Sequence, residues 1–259
     1  MTLSIHSHIV YDYAQPTDVL VQVEAAMTPG QIIANPELWL TPARHFARVP
    51  AHDGLGERIW LQVEGRMELD YKAEIRVTRE ESDLGGLAAV EPHLLPGDVV
   101  DYLMPSRFCP SDRFEEFVLA EFGSLTGGSC VAAMRDWIAG HLSYVPGVSH
   151  AGTSATDTFV QRQGVCRDYA HLLITLVRAA SIPARYASVY APNVTPPDFH
   201  AVAEVFLDGI WHLVDPTGMA RPSDIAIIGV GRDAADTAFL SSFGQAAFVE
   251  QFVKVERIS

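Results

Sequence analysis

Apolar and polar residues alternate along much of the first third of the chain. Leu3, Ile5, Ile9, Tyr11 and Tyr13 share one parity, with His6, His8 and Asp12 on the other, and Val19, Val21, Val23 and Ala25 resume the pattern. From Ile59 to Val77 the odd positions hold Ile59, Leu61, Val63, Met67, Leu69, Tyr71, Ala73, Ile75 and Val77, and the even ones are almost all polar. A period of two is the mark of a strand buried on one face. One straight strand of this length would span roughly 60 Å at ~3.3 Å per residue, which is long for a small domain. The pattern therefore predicts two strands joined at Glu64-Gly65-Arg66, where a three-residue turn keeps the parity. The region is expected to be antiparallel sheet with one wet face.

The period then changes. Pro92, Pro96, Pro105 and Pro110 punctuate the chain, and a domain boundary is expected near residue 100. Beyond it the spacing is helical. Asp112-Arg113-Phe114-Glu115 can form a capping box, with Phe114, Phe117, Val118 and Phe122 inward and Gly123 as the stop. Ser129 is placed to cap a second helix carrying Val131, Met134, Trp137 and Ile138, and Ala155–Val160 reads as a short third one. Strands are expected near 184–191, 200–207 and 210–215, with further ones at 225–230 and 249–256.

The chain is organised around Gln163-Gly164-Val165-Cys166-Arg167-Asp168-Tyr169-Ala170-His171-Leu172. Leu172, Leu173, Leu176, Val177 and Ala180 lie on one helical face, and Ser181-Ile182-Pro183 ends the run. Cys166 then sits at a helix start, where free N–H groups and the helix dipole favour a thiolate. A reactive thiolate also needs a base and a group to orient that base. Two strand-like segments, 198–207 and 210–217, flank Asp208-Gly209, a signal for a two-residue type I′ turn. Folding them as a hairpin brings His200, at the start of the first, beside Asp215, at the end of the second. The Cys166 backbone N–H is the natural first donor to an oxyanion formed there. Asp168 stands close to the thiolate and would disfavour it, so its expected role is to bond first-turn N–H groups. His171 lies more than one turn past Cys166 and is expected to face elsewhere. Trp211 reads as a packing residue on the hairpin.

Composition narrows the chemistry. The 259 residues are 48% hydrophobic and 19% charged, ordinary for a folded globular chain. A formal charge of −14 with no Lys/Arg cluster excludes phosphate-backbone binding as a main task. The three cysteines, Cys109, Cys130 and Cys166, follow no disulfide spacing and fit a reducing compartment. Cys109 and Cys130 lack the helix-start setting and read as structural. The first residues carry no basic-then-apolar leader and no apolar run reaches ~18 residues, so a soluble, cytoplasmic protein without membrane partners is expected. His6 and His8 share a strand face, and His45 and His52 follow, but no spacing completes a metal site, so no metal or cofactor is expected.

Gly164-Val165-Cys166, His200-Ala201, Trp211 and Asp215-Pro216-Thr217 together resemble the transglutaminase-like superfamily. The run from Gln163 to His171 is similar to its bacterial branch, whose members are often labelled cysteine proteases. The resemblance is specific from about Thr153 to Asp215 and extends loosely to Gly231-Arg232-Asp233-Ala234-Ala235-Asp236. It implies an α+β fold: an N-terminal antiparallel, β-sandwich-like domain (residues 1–100), then a papain-like transglutaminase core (residues 101–259) whose nucleophile helix packs on an antiparallel sheet. It implies Cys166 as nucleophile, His200 as general base and Asp215 as its orienter. Cross-linking members of the family supply a second oxyanion donor from an upstream indole. Trp137 is a candidate here, although it also fits a helical core stripe, and Gln161 and Gln163 are alternatives. The expected activity is acyl transfer from an amide through a thioester, as a peptidase or amidase acting on a peptide, protein or small amide. The alternatives are protein cross-linking and a non-catalytic peptide-binding module of the same fold.

Overall fold

The computed structural model describes residues 1–258. Four strands come first: β1 (Thr2–Val21), β2 (Gln31–Leu40), β3 (His45–Pro50) and β4 (Glu57–Val77). After short 3₁₀ turns follow α1 (Glu115–Phe122), α2 (Gly127–His141), β5 (Ser143–Tyr144), α3 (Ala155–Gln161), β6 (Gln163–Gly164) and α4 (Cys166–Ala179). The chain ends in β7 (Ala184–Tyr190), β8 (His200–Leu207), β9 (Ile210–Val214), β10 (Ala226–Gly231), β11 (Leu240–Ser242) and β12 (Ala247–Arg257). Among the described residues the fold is mixed, with antiparallel main sheets and four α-helices.

The first sheet is built on β1 and β4, which pair antiparallel from Thr2↔Arg76 to Val21↔Ile59. The turn expected at Glu64-Gly65-Arg66 does not form, and β4 runs through it. The pairing slips where Tyr13 opposes Gly65 and Thr17 opposes Val63, so β1 carries extra residues there. Gly65 has φ +77°, a backbone conformation that glycine adopts freely. The two strands bend together at this bulge, so a 21-residue strand fits within a domain. One edge is covered by β12 and β11 along β1, the other by β2 and β3 along β4. Where a sandwich-like domain was expected, the N-terminal strands build, with β11 and β12, one six-stranded antiparallel sheet, whose inner residues Leu3, Ile5, Val21, Ile59, Leu69 and Ile75 share one apolar cluster.

The second sheet has the order β10-β7-β8-β9, all antiparallel. The hairpin reading holds here. Asp208 (φ +49°) and Gly209 (φ +79°) form the turn with both central residues left-handed, and Leu207 pairs with Ile210. One face of this sheet carries α4. That helix is buried on all sides from Asp168 to Arg178, not on the single face its apolar spacing suggested. Most of its polar side-chain atoms are paired within the protein, His171 Nδ1 excepted. The Thr175 hydroxyl donates to His171 O at 2.8 Å, and the Arg178 guanidinium donates to the carbonyls of Ala184, Met104 and Arg232.

Two caps differ from expectation. α1 begins at Glu115 without a side-chain cap, because Ser111–Arg113 form a 3₁₀ turn that takes up Asp112. α2 begins at Gly127, and Ser129, already inside it, donates to Thr126 O. The boundary drawn at residue 100 also leaves out the return of the chain, since β11 and β12 complete the first sheet. The two sheets are joined by Gln31, whose amide bonds Ile227 N and O at 2.8 and 2.9 Å, and by Tyr190, whose hydroxyl donates to Val23 O at 2.6 Å. Among the described residues no single helix is long and apolar enough to cross a membrane.

Candidate active site

Cys166 is the first residue of α4 and is partly exposed on a cleft of about 610 Å³. What holds it there is local. Asp168 turns back and accepts from Val165 N at 2.8 Å, and its other oxygen accepts from the Ser149 hydroxyl at 2.9 Å. Gly164 makes room for this, because a Cβ there would lie 2.7 Å from the Asp168 Cβ. The carboxylate that seemed at odds with a thiolate is thus spent on the helix start. Burial raises its pKa, against the opposing effect of these bonds.

His200 opens β8 and Asp215 follows β9, and the hairpin brings them together as the sequence predicted. His200 Nε2 lies 2.9 Å from Asp215 Oδ2, with both side chains almost fully buried. Asp215 is held by the residues after it: Thr217 N and Oγ1 donate to Oδ1 at 2.8 and 2.7 Å, and Ala220 N donates to Oδ2 at 2.9 Å. The Asp-Pro-Thr turn therefore aims the carboxylate at the imidazole. The other ring nitrogen, Nδ1, is buried without a well-formed hydrogen bond, and the thiol of Cys166 is the group that acts on the ring from outside the pair. A loose thiol–imidazole contact is common where no substrate is bound. Burial works to lower the His200 pKa, but hydrogen bonding and charge from Asp215 and Cys166 outweigh it and push it up to about 10. Burial would raise Asp215, yet His200 and Thr217 hold it below the ordinary carboxylate value.

The other sequence candidates lie elsewhere. Trp137 packs among Phe117, His141, Phe159 and Arg162. Neither it nor Gln161 nor Gln163 lines the cleft. Trp211 is a packing residue, edge-on to Tyr102 and Phe206 and covered by the Arg185 guanidinium at 4.1 Å. Cys109 and Cys130 are buried, and burial pushes the Cys109 thiol up to about 12.

Two features escaped the sequence. The first is Tyr144. β5 pairs in parallel with β6, setting Tyr144 opposite Gly164, and Val145 N donates to Gly164 O at 2.9 Å. This brings the tyrosine close to Cys166, and burial first, then the cysteine charge, raise its hydroxyl pKa. Like Trp137 it is not among the residues lining the cleft, but unlike Trp137 it stands next to the cysteine. The hydroxyl is a proton-bearing donor at neutral pH. A two-residue strand leaves no periodic signal, so nothing along the chain marks this residue. The second is the role of His171. It is fully buried and stacked on Phe108, and its Nε2 accepts from Ala234 N at 3.1 Å. Burial, with Arg167 and Arg178 nearby, keeps it neutral. Asp233 accepts from Phe108 N at 2.9 Å. The segment that continued the family pattern is thereby fixed against α4, and Ala234, Ala235 and Thr237 form a wall of the cleft.

The profile of the transglutaminase-like superfamily matches residues 121–216, which hold Cys166, His200 and Asp215. The crystal structure of a candidate cysteine protease from Cytophaga hutchinsonii is 36% identical, covers 99% of this chain and 90% of its own, and superposes with a TM-score of 0.91. The chain belongs to the transglutaminase-like superfamily. Among curated proteins, an uncharacterized Mycobacterium leprae protein is 35% identical over 117 residues, 42% of this chain and 41% of its own. An uncharacterized Mycobacterium tuberculosis protein is 28% identical over 168 residues, 57% of this chain and 53% of its own. This superfamily member thus spans about half the length of the curated relatives it matches.

Proposed function

We propose that this protein is a cysteine-dependent acyl-transfer enzyme that hydrolyses peptide or isopeptide amides through a thioester. The observation that carries the reading is a buried His200–Asp215 pair at 2.9 Å beside a cysteine that opens onto a cleft. The Cys166 sulfur attacks the amide carbon. The carbonyl oxygen takes the charge and is met by the Cys166 N–H and the Tyr144 hydroxyl. His200, protonated in the resting site, gives its proton to the departing amine, and the thioester remains. Water then attacks the thioester with neutral His200 as base, and Cys166 leaves as the thiolate, restoring protonated His200. Asp215 keeps Nε2 protonated and leaves Nδ1 toward the sulfur. Hydrolysis is favoured over transfer to an amine because water is always present, and no site for a lysine amine stands out among the lining residues.

The test is covalent trapping with hydrolysis measured beside it. An acyl-type electrophile should add once to the wild type, at Cys166, and Cys166→Ala should neither add nor turn over a peptide or amide library. Cys109→Ala and Cys130→Ala should keep both properties. Labelling at Cys109 with Cys166 untouched would overturn the assignment. Ordinary thiol reactivity, with a midpoint near ~8.5 and no turnover, would make the protein a binding module.

A further inference from the structure

The wet face of the first sheet carries a cluster that the cleft does not use. His6 and His8 lie on that face of β1, and the register sets Asp70 of β4 opposite His8 and Glu68 opposite Val10. Asp70 reaches both rings: Oδ1 is 2.8 Å from His6 Nε2 and Oδ2 is 3.1 Å from His8 Nδ1. One donor atom each from His8, Glu68 and Asp70 lie within 4.8 Å of one another. From the other side β12 brings Glu250, with Oε1 3.5 Å from His8 Nε2. The missing carboxylates of the sequence reading thus come from neighbouring strands, where no spacing along β1 could reveal them.

We propose that His8, Asp70 and Glu68 form a binding site for a divalent transition ion of the zinc type, with His6, which now bonds Asp70 from outside that group of three, turning in as the fourth ligand. Two imidazoles and two carboxylates suit such an ion, which tolerates mixed nitrogen and oxygen ligands in a four-coordinate shell. The ligands stand on two paired strands, so little chain has to be ordered on binding. The rings are held as well: Phe252 stacks on His8 at 5.1 Å and meets His6 edge-on at 4.8 Å. The entering ion displaces the protons now shared between Asp70 and the rings. Lys72 and Lys254 flank His6 in register, and Lys254 is paired with Glu256 at 2.9 Å. These charges work against any cation held by charge alone. They favour an ion that bonds to imidazole over Mg²⁺ or Ca²⁺, which prefer oxygen shells.

The test uses the untagged full chain in a Cys166→Ser background, so that the reactive thiol does not bind the metal. Calorimetric titration with zinc chloride should show one saturable site. His8→Gln and Glu68→Gln should each weaken it by more than the roughly 10–100-fold typical of a group that only orients a ligand. His93→Ala, far along the chain in an exposed turn, should leave it unchanged. Urea unfolding of each variant separates lost ligation from lost fold, and His6→Gln serves if His8→Gln does not fold. A zinc-edge anomalous peak should lie among His6, His8, Glu68 and Asp70. No saturable binding would overturn the proposal. So would undiminished affinity, relative to the unsubstituted ligands, in folded His8→Gln and Glu68→Gln, or magnesium binding as tightly as zinc.

Discussion

At the scale of single residues, His200 sits between two groups that favour its charged form. Its pKa of about 10 lies above the ordinary value of ~6.5, so the pair stabilises the folded state fully below the ordinary value and loses that contribution as pH rises through about 10. Nitrogen NMR of the ring should therefore show imidazolium across neutral pH. In Asp215→Asn the midpoint should fall, because the carboxylate that bonds the charged ring is gone. Turnover should drop by roughly 10³–10⁴-fold, as expected when the orienting carboxylate becomes an amide. The stability cost should stay near ~1–3 kcal/mol, the scale of one disturbed buried hydrogen bond. Equal loss of both would make Asp215 a structural turn residue. Tyr144→Phe addresses the other side of the reaction. It should lower kcat by roughly 10²–10³-fold, the cost of one oxyanion donor, with KM little changed. An unchanged kcat would return Tyr144 to a packing role. The places of Cys166, His200 and Asp215 were legible in the sequence because each sits at an element end that the sequence itself marks. Tyr144 was not, because its place depends on a pairing of two short strands.

At the scale of elements, the readable parts are those fixed by neighbours in the chain. The hairpin from His200 to Asp215 needs only its alternation and the Asp208-Gly209 turn. Gly209→Ala tests how much rests on that turn. The residue has φ +79° with open space around it, so the cost is backbone strain alone. Stability should fall by about 1–2 kcal/mol, read from urea unfolding, while turnover of the folded fraction stays constant. A large drop in turnover would mean that the turn sets the His200–Asp215 geometry directly. Elements fixed by distant partners were read poorly. β4 looked like two strands because its bend is made jointly with β1 at Tyr13 and Gly65. β2 was missed because Asn35 and Pro36 interrupt it, at a register slip between Ala34 and Glu37. An edge strand tolerates such a proline, since the missing N–H need not face a partner.

At the scale of the whole molecule, the core around Cys166 and the first sheet are interwoven. The apolar cluster inside the first sheet includes Tyr190 and Phe199 from β7 and the approach to β8, Ala226 and Ile228 from β10, and Val253 from β12. Phe199 directly precedes His200, and Phe239 stacks on it at 4.8 Å just before β11. The wall of the cleft therefore continues into strands that close the first sheet. Truncation after Gln245 would remove β12, which pairs with β1 from Leu3↔Arg257 to Asp12↔Ala247. It would strip an edge from β1 and take Val253 from the cluster. Burying one such side chain contributes about 1.5–3 kcal/mol, and the lost strand pairing adds to that. The truncated chain should unfold at lower urea than the full chain. Alkylation of Cys166 should change over the same urea range as the loss of sheet, because one cluster supports both. The measurement is circular dichroism beside mass-resolved labelling of Cys166. If the core instead keeps its cleft and unfolds at its original midpoint, the first sheet is a separable cover, and the interweaving through Phe199 and Phe239 carries no stability.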